Sequence, residues 1–173
     1  MDVILVNEQD QPVGTMEKME VHQKALLHRA FSVFLFNDRG EMLLHKRADS
    51  KYHSGGLWTN ACCSHPRPGE DTRSAAEKRL QEEMGIVTPL TKAFDFIYKA
   101  SFDNGLTEHE FDHVFTGTYH GSIDPNPEEV SAYCYKPIPE IRQAIREYPY
   151  EYTEWFKIAF PRMELYLQTH SSR

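Results

Sequence analysis

Residues 30–36, AFSVFLF, narrow the possible folds more than any other stretch of this chain. The run is apolar apart from one serine and rich in aromatic and β-branched residues, so it is expected as a strand buried on both faces. Asn37-Asp38-Arg39-Gly40 then has hairpin-turn chemistry, and residues 41–47 are expected to return as the paired strand. A second hairpin is expected from residues 94–102 and 106–119 around Asp103-Asn104-Gly105. On its second strand Glu108 and Glu110 are two residues apart, which points both carboxylates to one face and His109 and Phe111 to the other.

Between the hairpins lies Trp58-Thr59-Asn60-Ala61-Cys62-Cys63-Ser64-His65-Pro66, a turn-like stretch that sets a thiol and an imidazole two residues apart. Asp71 or Thr72 is expected to cap a helix that runs to about Met84. Ala76, Leu80 and Met84 recur every fourth residue in it, and Gly85 suits a left-handed C-terminal cap. Glu82 and Glu83 then lie about 100° apart on the helix and cannot both face one site. Residues 3–7 are expected as a short strand, 9–14 as a turn, 16–27 as partly helical and 48–56 as a polar loop carrying Lys51, Tyr52 and His53. Further on, 124–127 is expected as a loop, 131–135 as a strand and 139–147 as a helix with proline in its first turn. The last helix, from 153 to about 167, should be kinked or divided at Pro161.

Length fits one domain spanning 1–173, large enough to bury a core without disulfides. Of the three cysteines two are adjacent, a poor basis for a disulfide framework, so reduced thiols are expected. A net charge of −7 argues against nucleic acid as the main partner, and an anionic ligand would need a local cluster of cations or a metal. No apolar run approaches the roughly twenty residues that span a bilayer, and the first residues lack the pattern of a signal peptide. A cytoplasmic protein without a membrane partner is expected.

Five residues have the chemistry for one divalent metal: His22, His28, His65, Glu108 and Glu110. Three imidazoles and two carboxylates exceed the four ligands of structural zinc and suit a five- or six-coordinate ion. With nine histidines present, most are expected as ordinary surface or core residues, so the set competes with a bland reading. Cys63 likewise reads either as a small buried apolar residue or as a reactive thiol. Lys18, Arg47, Lys51 and Arg79 are cations that would suit a diphosphate if they converge. Trp155 reads as core, or as an aromatic face over a cationic centre.

Together, His28-Arg29-Ala30-Phe31-Ser32, the Trp58–Pro66 stretch, Glu108-His109-Glu110 and Tyr152-Thr153-Glu154-Trp155 resemble the type I isopentenyl-diphosphate isomerases of the Nudix superfamily over nearly the whole chain. The resemblance implies an α/β (α+β) fold with a mixed β-sheet flanked by α-helices. It also implies interconversion of isopentenyl and dimethylallyl diphosphate, a step of isoprenoid biosynthesis, by adding a proton to an alkene and removing another elsewhere. Positions matching its metal ligands are His22, His28, His65, Glu108 and Glu110, for Mn2+, Zn2+ or Mg2+; Glu83 matches the residue that goes with a diphosphate-bridging Mg2+. Lys18, Arg47, Lys51 and Ser64 match substrate contacts, with Arg79 and Trp155 added here. Cys63 is expected to act on one side of the substrate and Glu110, assisted by Tyr98, on the other.

A Nudix hydrolase box reads G-x5-E-x7-R-E-U-x-E-E-x-G-U, with U aliphatic. The chain keeps Glu70, Leu80, Glu82, Glu83, Gly85 and Ile86 but carries Ser64, Lys78 and Arg79 where the box has Gly, Arg and Glu. Isomerase, metal-dependent pyrophosphohydrolase and a metal-stabilised binding module are therefore the competing readings, in that order. The partner expected is a small allylic or homoallylic diphosphate, and the assembly a monomer or weak homodimer.

Overall fold

The computed structural model describes residues 1–102 and 104–170. Nine strands form a mixed sheet: β1 (Asp2–Val6), β2 (Pro12–Glu17), β3 (His28–Phe36), β4 (Met42–Arg47), β5 (Trp58–Thr59), β6 (Cys62–Ser64), β7 (Thr91–Ser101), β8 (Thr107–Thr118) and β9 (Val130–Lys136). Helices α1 (Lys18–Lys24), α2 (Thr72–Met84), α3 (Ile138–Glu147) and α4 (Glu154–His170) complete the fold, with a 3-10 turn at Pro149–Glu151.

β3 is the axis of the sheet and is buried on both faces, as its composition requires. Phe31, Val33 and Leu35 pack with Ala76, Leu80 and Met84, the four-residue stripe of α2. Phe34 faces the other way, into a cluster with Ile141 of α3 and Phe156, Phe160 and Met163 of α4. α2 is capped as expected: Asp71 accepts from the Ser74 amide at 3.0 Å, and Gly85 closes the helix at φ +65°. A Cβ on Gly85 would lie 2.6 Å from the Asp124 carbonyl oxygen, so this position needs glycine for space as well as for conformation.

The first hairpin departs from expectation. β3 and β4 pair only at Phe36 and Met42, beside the turn. Beyond that point β6 takes the edge of β3, with Val33 opposite Cys62 and Phe31 opposite Ser64, and β4 leaves to pair along β9. The apolar run records burial, which any neighbour satisfies, and does not name the partner. β5 and β6 were expected as turn, because strands of two and three residues are too short to show a period. β2 covers part of the span expected as a turn; it is an exposed edge strand without alternation, and the turn itself lies earlier, where Asn7 Oδ1 accepts from Gln9 and Gln11. The second hairpin forms with Tyr98 opposite Glu110 and Gly105 at φ +81°, while Asp103 of its turn falls outside the described residues. α4 runs undivided through Pro161. Pro161 is exposed, on the side where water can take the carbonyl that loses its partner.

His45, buried on β4, gives the fold a pH dependence. Its Nδ1 faces the Ala61 carbonyl at 3.0 Å, tying β4 to the link between β5 and β6. Burial lowers its pKa from 6.5 to about 4, although the Ala61 hydrogen bond opposes the shift. Below about pH 6.5 the unfolded chain takes up a proton that the folded chain refuses until about pH 4, so stability is complete above this window and falls as pH drops through it. Urea unfolding at pH 7 and pH 5 should show the stability advantage of the native protein over His45→Gln shrinking at the lower pH; an unchanged difference would remove His45 as a source of the slope.

Candidate active site

Strand register decides what the site contains. β3 runs parallel to β8 with His28 opposite Glu110, and β7 runs antiparallel to β8 with Tyr98 opposite the same Glu110. Cross-strand neighbours share a face, so these three form one row. Alternation along β8 adds Glu108 and Asp112 to that face, all buried, while Phe111 turns to Ile4, Val6 and Leu27 and His109 to the Ala25 carbonyl. On the other edge of β3, β6 sets Cys63 opposite Ser32 and leads directly to His65. α1 contributes His22.

Three buried imidazoles therefore meet, with ring centroids 5.5 Å apart for His22 and His28, 5.9 Å for His22 and His65, and 4.9 Å for His28 and His65. Glu110 Oε2 lies 2.9 Å from His65 Nε2 and 3.5 Å from His28 Nε2. One ligand atom from each of these four residues lies within 4.8 Å of the others. His28 Nδ1 is 3.0 Å from the Leu26 carbonyl, to which it donates, and its Nε2 turns to the cluster. Burial, then the neighbouring imidazoles, lowers His22 to about 4; burial lowers His65 to about 4 against the pull of Glu110. Both rings are thus neutral at neutral pH.

Both ring nitrogens of His22, His28 Nε2 and His65 Nδ1 are buried without a hydrogen-bond partner. Such orphaned groups are costly, and neutral imidazoles beside a carboxylate are what a divalent ion takes as ligands. The residues fit a metal. Glu108 stands outside this group of four and joins it through Tyr98, whose hydroxyl lies 3.0 Å from Glu108 Oε1 and 2.6 Å from Glu110 Oε1. Burial and the adjacent Glu110 charge push Glu108 well above the carboxylate range. Burial would raise Glu110 too, but the His28 and His65 rings outweigh it and hold the carboxyl well below that range.

Lys18, Arg47, Lys51, Cys63, Ser64, His65, Arg79, Glu83, Tyr98, Glu108, Glu110 and Trp155 all line one cleft. His22 and His28 are buried and meet it through His65 and Glu110. The cations have partners of their own: Arg79 donates to Glu83, with Nε at 3.0 Å, Lys51 donates to Glu129 at 2.7 Å, and the Arg47 guanidinium lies 5.0 Å from the Trp155 ring centre. Glu83 is buried and Glu82 exposed, so the two acids are separated as their helical spacing requires. The Cys63 sulfur lies 3.1 Å from Asn60 Oδ1 and 3.6 Å from Ser32 Oγ, and burial, then Asp112, raises its pKa so that it rests as a thiol.

Tyr52, His53 and Glu129 also line the cleft and had no role assigned from the sequence. His53 stacks on Phe102 at 4.7 Å and meets the Trp155 ring edge-on at 5.8 Å. Tyr52 and His53 stood in a polar loop whose composition carries no sign of direction, and Glu129 lies beside the 124–127 loop with no motif to mark it.

The NUDIX domain model matches residues 26–156. Among curated proteins the chain is 50% identical to "Isopentenyl-diphosphate Delta-isomerase" of Pectobacterium atrosepticum over 99% of this chain and 96% of that one. It is 47% identical to "Isopentenyl-diphosphate Delta-isomerase 2" of Aromatoleum aromaticum over 93% of this chain and 85% of that one. Among solved structures, a Deinococcus radiodurans protein aligns with TM-score 0.71 at 17% identity over 86% of this chain and 90% of that one. A MutT protein of Methanosarcina mazei aligns with TM-score 0.66, also at 17% identity, over 80% and 93%; these two speak to the fold alone. The chain belongs to the isopentenyl-diphosphate Delta-isomerase family, within the NUDIX-domain proteins.

Proposed function

We infer that this chain interconverts isopentenyl diphosphate and dimethylallyl diphosphate, the reaction named by its family, and that Cys63 and the Tyr98–Glu110 pair exchange the protons. The observation that carries this reading is their placement: the thiol and the tyrosine-bridged carboxylate line one cleft with a set of cations, beside a buried three-imidazole cluster. The reaction adds a proton to the terminal alkene carbon and removes one from the carbon bearing the diphosphate-linked methylene. A tertiary carbocation lies between the two steps, so the pocket has to exclude water and offer groups that tolerate positive charge. The Trp155 ring, with His53 and Phe102 against it, is that wall.

His22, His28, His65 and Glu110 would hold one divalent ion, Mn2+, Zn2+ or Mg2+, with Glu108 behind Tyr98 as a further ligand. A metal there would stabilise the Glu110 carboxylate and lower the basicity of the groups bonded to it. Glu83 and Glu129 both approach Arg79, and they offer the oxygen donors that Mg2+ prefers for bridging protein to diphosphate. Lys18, Arg47, Lys51, Ser64 and Arg79 would bind the diphosphate oxygens by charge-assisted hydrogen bonds, exchanging their present carboxylate partners for phosphate. Arg79 also argues against pyrophosphate hydrolysis. Where a hydrolase box carries a metal-binding acid, this chain has a cation bonded to the remaining carboxylates.

Incubation of metal-loaded protein with isopentenyl diphosphate in deuterated water should give deuterium-labelled dimethylallyl diphosphate by NMR. Cys63→Ala and Glu110→Gln should each slow this by about 10²–10⁴-fold, the usual worth of a positioned acid or base; near-native turnover by either variant would overturn its assignment. For the bridging site, Glu83→Gln should raise the Mg2+ concentration for half-maximal rate at least tenfold and leave the metal held by the histidine cluster unchanged by elemental analysis. An unchanged Mg2+ requirement would take Glu83 out of that role.

A further inference from the structure

Behind the Cys63 sulfur runs a buried hydrogen-bond chain that the proton-transfer scheme does not use. Asn60 sits in the link between β5 and β6, at the point where β3 and β4 part. Its amide nitrogen donates to the Val33 carbonyl at 2.9 Å and to the Cys62 carbonyl at 3.0 Å. Both amide hydrogens are thereby used, and a flipped amide would set its oxygen against two carbonyl oxygens in a site closed to water. The orientation of Asn60 is therefore fixed: Oδ1 faces the Cys63 sulfur at 3.1 Å.

That single orientation sets the direction of the bonds that lead from Asn60 to α4. Oδ1 only accepts, so the Thr59 hydroxyl spends its one hydrogen on it at 2.9 Å. Thr59 Oγ1 is then an acceptor for the Thr153 hydroxyl at 3.1 Å, and Thr153 Oγ1 accepts in turn from the Phe156 amide at 3.3 Å in the first turn of α4. On the other flank Ser32 gives its hydrogen to Asp112 Oδ2 at 2.7 Å and also turns an oxygen lone pair to the sulfur. The thiol thus has acceptors behind it on both sides. At rest its hydrogen points to that wall, and rotation about the Cβ–Sγ bond turns the S–H to the cleft when the proton is exchanged. The same chain ends on the helix start that carries Trp155, so sulfur and indole are placed by one continuous set of bonds.

We propose that Asn60 is the positioning residue for the Cys63 thiol, and that Thr59 and Thr153 lock its direction and couple it to the start of α4. This rests on the reading of Cys63 given above and extends it to residues that do not touch substrate. A positioning role predicts a loss in turnover with little change in substrate binding, because the cations that hold the diphosphate lie elsewhere in the cleft.

Three variants of the metal-loaded enzyme test it, assayed beside Cys63→Ala. Asn60→Ala should lower kcat at least tenfold with KM within twofold of native. Because Asn60 also bonds two backbone carbonyls and this variant can fail to fold, Thr59→Val and Thr59→Ser decide independently. Thr59→Val keeps the shape and loses the hydroxyl, and kcat should fall at least fivefold with KM within twofold. Thr59→Ser keeps the hydroxyl and should recover kcat to within twofold of native, a rescue that a merely packing role would not give. A folded Thr59→Val at the native rate, or a Thr59→Ser as slow as Thr59→Val, overturns the inference. Full activity in Cys63→Ala would overturn the reading of Cys63 and this inference with it, whereas an inactive Cys63→Ala beside a native-rate Thr59→Val overturns this inference alone.

Discussion

The parallel pairing of β3 with β8 is the constraint on which the site depends. Because His28 stands opposite Glu110, the strand residues of the cleft are located by counting along the neighbouring strands. Tyr98 arrives opposite Glu110 through β7, and Cys63 arrives opposite Ser32 through β6. A one-residue slip of β8 would turn Glu108, Glu110 and Asp112 away from the cleft and bring His109 and Phe111 into it. The two apolar clusters that hold β3 between α2 and the α3–α4 pair make such a slip costly, since Val114 and Phe115 would exchange sides as well. Packing of the core and placement of the site are one requirement.

Electrostatics at this site work against burial. Three imidazoles, two glutamates and an aspartate are taken out of water within one patch of the fold, at a cost that burial of apolar surface elsewhere must offset. Hydrogen bonds remove part of it: the Leu26 carbonyl accepts from His28, Tyr98 bridges the two glutamates and Ser32 donates to Asp112. The unpaired nitrogens of His22, His28 and His65 and the Asp112 Oδ1 remain. A divalent ion would remove the imidazole share of that cost, so metal binding and stability of this patch should rise together.

Much of this was legible from residue order, and the failures have physical causes. The period of two that aims Glu108 and Glu110 together, the four-residue stripe of α2 and the glycine at its end are local signals, and each appears where expected. Motif order brought twelve expected residues to one cleft, because the resemblance covers long-range geometry that spacing alone cannot supply. What spacing could not supply was strand partnership: the apolar run 30–36 was paired with its hairpin neighbour when β6 and β8 hold most of its edges. The bonding of Asn60, Thr59 and Thr153 was equally hidden, although all three stand in the motif stretches. A buried hydrogen-bond chain assembled from two distant segments has no period and no composition of its own.

His22, His28, His65 and Glu110 have the makings of a metal centre, with Cys63 outside it as a free thiol. X-ray absorption on the zinc-loaded protein tests both halves together. A coordination shell of imidazole nitrogens and carboxylate oxygens without sulfur is expected. A zinc–sulfur distance of about 2.3 Å, or a shell of oxygen alone, would rule this arrangement out.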